Sequence, residues 1–451
     1  MRHYRGLPED AGLDRVPREP VPLIRRISTT LLLAVFLGVP AILSGQSLAR
    51  SDSLLQRLTT EALASAPAVL QRDALARAAA TRVRPAGALP DPLLSVGVMD
   101  LTLPRFAFRE SDFTEVDVEL VQQFPWPGTL GAETRAARAM ARGTSAEASS
   151  LRREVAVRVA MLYYRLRYVI TAEQLLAKQW TLLENAVEIA TARYGTGSVP
   201  QTDPLQARIS LARLVTEQAS LRVEDSGLRA DLRAARGIRE SEQLLVAPIS
   251  ADSVAAILEN AAAGHAIQLA LADPLATHPR LEVHRAGIDA ATETAKAEAL
   301  TGRPDFEITT RYGYRPLGSD FFSAFVGIRV PLWAGRKQRL LAQAARIDAE
   351  AAQRGLEEEQ ASLTAQLERT LADARGGAVR LRLMVSSVLP LTREGVGAAL
   401  RGYRTGQGDF LSVFTALDTH YHAELEAAEV AAEHLTHLVM LEQLLEPENA
   451  P

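Results

Sequence analysis

The sequence predicts a mainly α-helical protein that also carries four amphipathic β-strands and is built as two copies of one pattern. Long proline-free stretches carry apolar residues three and four positions apart, which is typical of packed helices, and aromatic residues make up only 5% of the chain. Four shorter segments alternate between apolar and polar residues, as strands do. Short motifs recur in the same order at a nearly constant distance, which indicates an internal duplication.

The N-terminal segment predicts export from the cytoplasm. An apolar run at 31–43 follows Arg25 and Arg26 and precedes small or polar residues. The run is shorter than the roughly 20 residues of a membrane span and is typical of a signal peptide. We therefore expect residues 1–46 to be a signal peptide with an N-terminal extension, cleaved near Ser44 to Ser47. A buried N-terminal helix is the alternative.

The repeated motifs set the predicted domain boundaries. FPWPG at 124–128 and PLWAG at 331–335 place Trp126 opposite Trp333, and Tyr194 further along corresponds to Tyr403. Similar spacing throughout predicts a duplication of about 200 residues. The predicted parts are a first repeat at 47–236, an inter-repeat connection at 237–275, a second repeat at 276–445 and a C-terminal tail at 446–451.

Each repeat is expected to contain a helix, a strand pair, a Pro/Gly corner, a very long helix, a glycine-containing tip and a second long helix. Pro390 falls inside the very long helix of the second repeat and should kink or break it. In the first repeat we expect a helix at 52–83, strands at 93–103 and 114–124, and helices at 129–193 and 204–236. In the second we expect a helix at 280–301, strands at 305–315 and 321–330, and helices at 335–403 and 410–445.

The predicted strands separate charged from apolar side chains. In the second strand Val116, Val118 and Leu120 share one face and the acidic residues between them share the other. The first strand alternates less cleanly, because Asp100 is in phase with its apolar residues. A half-buried soluble sheet also alternates, but each segment is close to the roughly 9–11 residues of a tilted transmembrane strand. The predicted pore-lining residues are Asp117, Glu119, Glu307, Arg311 and Arg329.

Four strands are too few to close a barrel, since the smallest bacterial barrels have about 8. An open edge in lipid would leave backbone groups unpaired, at several kcal/mol each. We therefore expect several subunits to share one wall, with the charged faces around a water-filled lumen.

A corner rich in proline and glycine follows the second strand and another follows the fourth. Proline favours the first turn of a helix and glycine permits a sharp bend, so these corners should turn strand into helix. Their tryptophans could anchor the junctions at a membrane surface or simply pack against neighbours. The corner residues are Phe124, Pro125, Trp126, Pro127 and Gly128 in the first repeat, and Pro331, Trp333 and Gly335 in the second.

Two glycine-containing tips reverse the chain between long helices. Their aspartates could cap the helices that follow, or could form a ring of carboxylates that selects or gates cations at the mouth of a tube. The tip and gate candidates are Tyr194, Gly197, Thr202, Asp203 and Leu205 in the first tip, and Tyr403, Gly406, Asp409 and Leu411 in the second.

Together these features resemble the TolC-like outer membrane efflux protein family. The motifs are the duplication, the corner QQFPWPGTLGAETRAA at 122–137 and the two tips. The resemblance implies a homotrimer in the outer membrane: four transmembrane strands per protomer form one twelve-stranded barrel, and the long antiparallel helices form a periplasmic α-barrel. It also implies a role as the exit duct of a tripartite pump, docked by its tip to a periplasmic adaptor protein that is fed by an inner-membrane transporter.

The resemblance extends to individual tip residues. Thr202 and Asp203 match a pair that helps to hold the periplasmic end closed in that family, and Asp409 matches its first gating aspartate. The second tip departs from the family pattern: the basic residue expected between Gly406 and Asp409 is missing, and Ser412 stands where a second carboxylate is expected. The network that closes this tip is therefore expected to differ.

Other function classes find little support in the sequence. Lys and Arg number 50 against 54 Asp and Glu, so no basic field suggests a nucleic-acid partner. No nucleotide-binding loop, Gly-x-Ser-x-Gly or His-Glu-x-x-His motif suggests an enzyme, and neither a cofactor nor a metal site is expected. Cysteine is absent. The alternatives are a metal-ion efflux duct of the same architecture and a soluble periplasmic coiled-coil scaffold.

Overall fold

The computed structural model describes residues 52–101, 104–240, 243–255 and 275–445. The predicted signal peptide, its cleavage site and the C-terminal tail lie outside the described residues, as does part of the connection at 237–275. Among the described residues no helix is both long enough and apolar enough to cross a membrane.

Long helices and one small sheet make up the described part of the chain. The helices of the first half are α1 (Ser53–Ser65), α2 (Pro67–Arg82), α3 (Thr129–Gly195) and α4 (Thr202–Ala235), with strands β1 (Leu93–Met99) and β2 (Glu115–Phe124). The second half contains α5 (Pro279–Leu300), β3 (Asp305–Tyr314), β4 (Phe321–Arg329), α6 (Gln338–Leu383), a π-helical turn (Met384–Val388), α7 (Leu389–Arg404) and α8 (Phe410–Leu445).

The single helix predicted at 52–83 is wrong: the structure has two helices there, because the chain is extended at Ala66 and restarts at Pro67. Proline fits the first position of a helix, where its missing N–H is not needed. Asp52 accepts hydrogen bonds from the first N–H groups of α1 and caps it. Pro279 begins α5 in the same way. In the comparison of the two repeats α2 therefore corresponds to α5, and α1 has no counterpart among the described residues of the second half.

A histidine caps α5. The Nδ1 atom of His278 accepts a hydrogen bond from the N–H of Arg280 at 3.3 Å. Burial, together with the charges of Arg153 and Arg280, lowers the pKa of His278 to about 4. The imidazole is therefore neutral at neutral pH, the state in which Nδ1 can accept that hydrogen bond.

The four strands form one antiparallel sheet in the order β1-β2-β3-β4. The two predicted strand pairs therefore join through β2 and β3, and β1 and β4 remain as open edges within the described chain. The first strand is shorter than the predicted 93–103, since Asp100 has a φ of 54° and its carbonyl accepts a hydrogen bond from Thr114 Oγ1 at 2.8 Å. Ending at Met99 removes Asp100 from the apolar face, which explains the imperfect alternation.

The helices pack side by side in two levels. Next to the sheet, α3 lies between α2 and α5, and α6 packs on the other side of α5. Toward the tips, α3 lies between α4 and α8, and α7 packs against α8. Small residues on α3 face its neighbours: a Cβ atom added at Gly143 would lie 3.4 Å from the Cβ of Ala286 on α5. The small buried residues of α3 allow the helix axes to approach closely; they include Ala132, Ala136, Ala139, Gly143 and Ala146.

The long helical stretch of each half is 67 residues long. Helix α3 is continuous over 67 residues, about 100 Å at ~1.5 Å per residue. In the second half, α6, the π turn and α7 have 46, 5 and 16 residues, together 67, instead of the single helix predicted at 335–403. As predicted, the interruption lies at Pro390: the N–H of Leu389, just before it, bonds back to the carbonyl of Met384 in a π pattern.

The connection after α4 is fixed to the helices where the structure describes it. The N–H of Ile249 donates to Thr171 Oγ1 at 2.8 Å, and Arg167 donates to the carbonyls of Ala247 and Pro248. Leu244 and Ile249 are buried in the core cluster that also contains Leu166 of α3. The described stretch 243–255 is thus held against the middle of α3.

Candidate membrane surface and channel tip

One face of the sheet is apolar and exposed. The register aligns Val96, Val118, Tyr312 and Phe322 in one row across the four strands. Their exposed fractions are 69%, 40%, 48% and 70%. A soluble half-buried sheet would bury such a row, so this face must be covered by something outside the described chain.

The opposite face carries the charges. In the next row Ser95, Glu119, Arg311 and Ser323 align across the sheet, and the Arg311 guanidinium lies 2.6 Å from a Glu119 carboxylate oxygen. Arg311 also lies 3.8 Å from Asp117. Arg311 therefore pairs with both of these acidic residues of β2, and this face of the sheet is polar.

The predicted pore-lining residues fall into two groups on this face. Asp117, Glu119 and Arg311 form the group on β2 and β3, and Glu307 pairs with Arg329 at 3.4 Å between β3 and β4. That a lumen lies on this side stays a prediction.

The first corner is packed. The N–H of Trp126 donates to Asp305 Oδ1 at 2.9 Å, and its ring stacks on Phe306 with centroids 5.8 Å apart. Phe124 pairs with Phe306 at the end of β2, and Pro125 and Pro127 flank Trp126. Gly128, with a φ of 100°, is the N-cap of α3. Trp126 is thus packed within the described chain, and a membrane contact of this corner stays a prediction.

The second corner is exposed. Pro331 and Gly335 lie in successive turns between β4 and α6, as predicted for a corner. Trp333 between them is 72% exposed and Leu332 is 81% exposed. The two matching tryptophans therefore have different surroundings, which the shared motif did not predict.

The two tips use the same turn. Gly197 and Gly406 have φ values of 70° and 76°, a region that residues other than glycine rarely adopt. The N–H of Ser198 donates to the carbonyl of Arg193, and that of Gln407 donates to the carbonyl of Gly402, both at 2.9 Å. Both helices therefore end in a Schellman motif with glycine at the left-handed position.

The two tip aspartates differ in their contacts. Asp409 caps α8: its Oδ1 accepts a hydrogen bond from the N–H of Ser412 at 2.9 Å and another from the Ser412 hydroxyl. These bonds hold the pKa of Asp409 below its usual range. Asp203 lies in the first turn of α4 beside Thr202, and the cap of α4 has no side-chain hydrogen bond. The capping prediction is confirmed for Asp409 and wrong for Asp203.

A contact between the tips involves a residue that the sequence did not single out. Arg193, at the end of α3, donates from Nη1 to the carbonyl of Tyr403 at 2.8 Å, and its guanidinium lies 4.6 Å from the centre of the Tyr403 ring. Tyr403 is 2% exposed and packs edge-on against Phe410. Burial raises the pKa of the Tyr403 phenol, and the Arg193 charge opposes that rise.

Arg193 supplies a cation next to the second tip, where the sequence lacks the expected basic residue. The only available signal was its position immediately before Tyr194. The remaining tip candidates lie on the surface: Tyr194, Leu205 and Leu411 are about half exposed.

Solved structures share this fold. The outer-membrane channel OprN is 16% identical with a TM-score of 0.72, covering 88% of this chain and 90% of that chain. The outer membrane protein VceC from Vibrio cholerae is 15% identical with a TM-score of 0.72, covering 88% and 97%. The open state of the Neisseria gonorrhoeae MtrE outer membrane channel is 15% identical with a TM-score of 0.70, covering 87% and 89%. No protein-family model and no curated protein matches the chain.

The fold is thus the one found in outer-membrane channel proteins, mainly helical with one small sheet. The resemblance to TolC-like proteins is confirmed for the fold over nearly all of the described chain.

Proposed function

We propose that this protein is the outer-membrane channel of an export pump and acts as a homotrimer. The observation that carries the proposal is the sheet with one exposed apolar face and one ion-paired face. Lipid would cover the apolar face, and the charged face would line a water-filled lumen. With four strands per chain, three copies give twelve strands in one closed barrel.

The helices support the same assembly. Near the tips, α4 and α7 lie at the two edges of the helix row, and both carry exposed apolar side chains. Contact between α4 of one copy and α7 of the next would cover them in a head-to-tail interface that closes into a ring. The exposed residues are Ile209, Val215 and Val223 on α4, and Leu391 on α7.

The proposed tube extends from the outer membrane into the periplasm. Its tips would dock on a periplasmic adaptor protein, which connects them to an inner-membrane transporter. Docking would open the tube by separating contacts such as that between Arg193 and Tyr403. A soluble coiled-coil scaffold is disfavoured, because it leaves the apolar sheet face in water.

Two arginine substitutions in β4 test the membrane assignment. Val326, 75% exposed, lies on the apolar face, and its neighbour Phe325, 58% exposed, lies on the other. Arg on a lipid-facing strand position costs about 2–4 kcal/mol near the bilayer midplane. We expect Val326→Arg to deplete heat-modifiable trimer from the outer-membrane fraction, whereas Phe325→Arg retains it. A wild-type protein that stays monodisperse without detergent and forms no trimer would refute the channel.

A further inference from the structure

The second corner combines exposed apolar side chains with exposed cations. Leu332 and Trp333 point away from the packed chain, and Arg336, Lys337 and Arg339 follow within two turns. All three cations are exposed, and among the described residues none has an ion-pair partner within 4.0 Å. We call these five residues the second-corner surface.

The first corner has no such surface. Trp126 there is held by Asp305 and stacked on Phe306. The first cation of α3, Arg135, lies 2.7 Å from Glu293 and is therefore neutralised by an ion pair. The exposed cations of the second corner are thus not a requirement of the strand-to-helix turn itself.

The second-corner surface continues the apolar sheet face. Ile328 and Val330 precede it and are 60% and 57% exposed. On the proposed function, where that face meets lipid, Trp333 would lie at the end of the hydrocarbon layer and the cations just beyond it. Tryptophan prefers this interfacial depth, and lysine and arginine side chains extend from it to phosphate groups.

We propose that the second-corner surface binds anionic phospholipid headgroups of the periplasmic leaflet. Its components match that partner: an aromatic and an aliphatic side chain for the acyl boundary, and three cations for the phosphates. A cation near an anionic lipid surface contributes roughly a fivefold preference. Each trimer would thereby carry three such surfaces at one level of its circumference.

Trp333 can report on its own lipid neighbours. The chain has 3 tryptophans, so a Trp126→Phe/Trp180→Phe background leaves Trp333 as the sole reporter. The protein is reconstituted into phosphatidylcholine vesicles in which about a fifth of the lipid is brominated, either as phosphatidylglycerol or as phosphatidylcholine. Enrichment of anionic headgroups predicts stronger quenching by the brominated phosphatidylglycerol. The excess should disappear in about 0.5 M salt, where the Debye length is only a few ångströms.

Matched charge variants decide whether the corner cations cause the effect. Arg336→Gln/Lys337→Gln/Arg339→Gln should abolish the excess quenching and leave the quenching by brominated phosphatidylcholine in place. The control removes three exposed arginines from the far end of α6, Arg369→Gln/Arg375→Gln/Arg382→Gln, and should change neither signal.

Two results would overturn the inference. Equal quenching by the two brominated lipids, unaffected by the corner variant, would mean that Trp333 contacts lipid without selecting charge. Absence of quenching from a preparation that still forms heat-modifiable trimers would mean that Trp333 lies away from the membrane. A preparation without membrane-inserted trimers would instead refute the proposed function itself, so the two failures are distinguishable.

Discussion

The two halves of the chain build the same elements with different local chemistry. Each half has a helix that begins at a proline, an antiparallel strand pair, a 67-residue helical stretch, a glycine turn and a long return helix. The halves differ inside the long stretch, where α3 is continuous and the second half contains a π turn next to Pro390. The common length places both tips at the same level, so the fold constrains the length of the stretch and tolerates a change in its internal hydrogen bonds.

The corners and tips differ in a related way. In the first half Trp126 is packed, whereas in the second half Trp333 is exposed beside three exposed cations. At the tips, Arg193 of the first half reaches the second tip, but Gly402 occupies the equivalent position in the second half and has no side chain to reach back. The two halves therefore share backbone geometry at these points while their side chains have separate roles.

Exchanging the residues at the helix interruption gives the largest expected effect. Thr181 of α3 occupies the position of Pro390 when Tyr194 and Tyr403 are aligned, and both residues are exposed. Thr181→Pro would remove a helical hydrogen bond and clash with the preceding turn, so we expect a loss of about 3 kcal/mol or more. Pro390→Thr should change stability by less than about 1 kcal/mol, because the π turn has already rearranged the backbone.

Urea unfolding of the detergent-solubilised trimer, followed by the fluorescence of the adjacent Trp180, measures this difference. Equal tolerance of the two substitutions would contradict the continuity of α3 at this point.

Much of this architecture could be predicted from the sequence because it depends on periodicity. The bounds of β2, β3, β4, α3 and α8 lie within two residues of the predicted ones, since alternation and helical spacing are local signals. The break at Ala66 was missed although Pro67 was visible: the prediction of one helix at 52–83 took no account of this proline, which kinks or ends a helix when it lies in the interior. Contacts between distant parts of the chain, such as that between Arg193 and Tyr403, could not be predicted, because they produce no periodic pattern in the sequence.

The same limit applies to the sheet. Alternation predicted which residues share a face but not that β2 and β3 pair, since that pairing joins residues nearly 200 positions apart. The exposure of the apolar face required the structure, because a soluble sheet would have the same alternation.

Removing Arg193 tests the contact between the tips and should have an intermediate effect. A hydrogen bond to a charged group contributes roughly 1.5–3 kcal/mol, so Arg193→Ala should destabilise the contact by about 2 kcal/mol. We expect faster amide exchange at 402–408 and a higher conductance in planar bilayers. Arg404→Ala is the matched control, since Arg404 is exposed at the same tip. An Arg193→Ala channel with unchanged exchange and conductance would show that the tips are held together by other contacts.

The smallest expected effect separates the two tip aspartates. Asp409→Ala removes the cap of α8, so amide exchange at Ser412 should accelerate several-fold, whereas Asp203→Ala should leave the first turn of α4 nearly unchanged. Because the capping bonds lower the pKa of Asp409, the cap is complete above the usual carboxyl range and is lost as the pH falls through the lowered pKa.

If Asp409 also gates the channel, Asp409→Ala should raise single-channel conductance or remove its sensitivity to divalent cations. Faster exchange with unchanged currents would leave Asp409 as a helix cap only, and the carboxylate ring would have to be sought at Asp203.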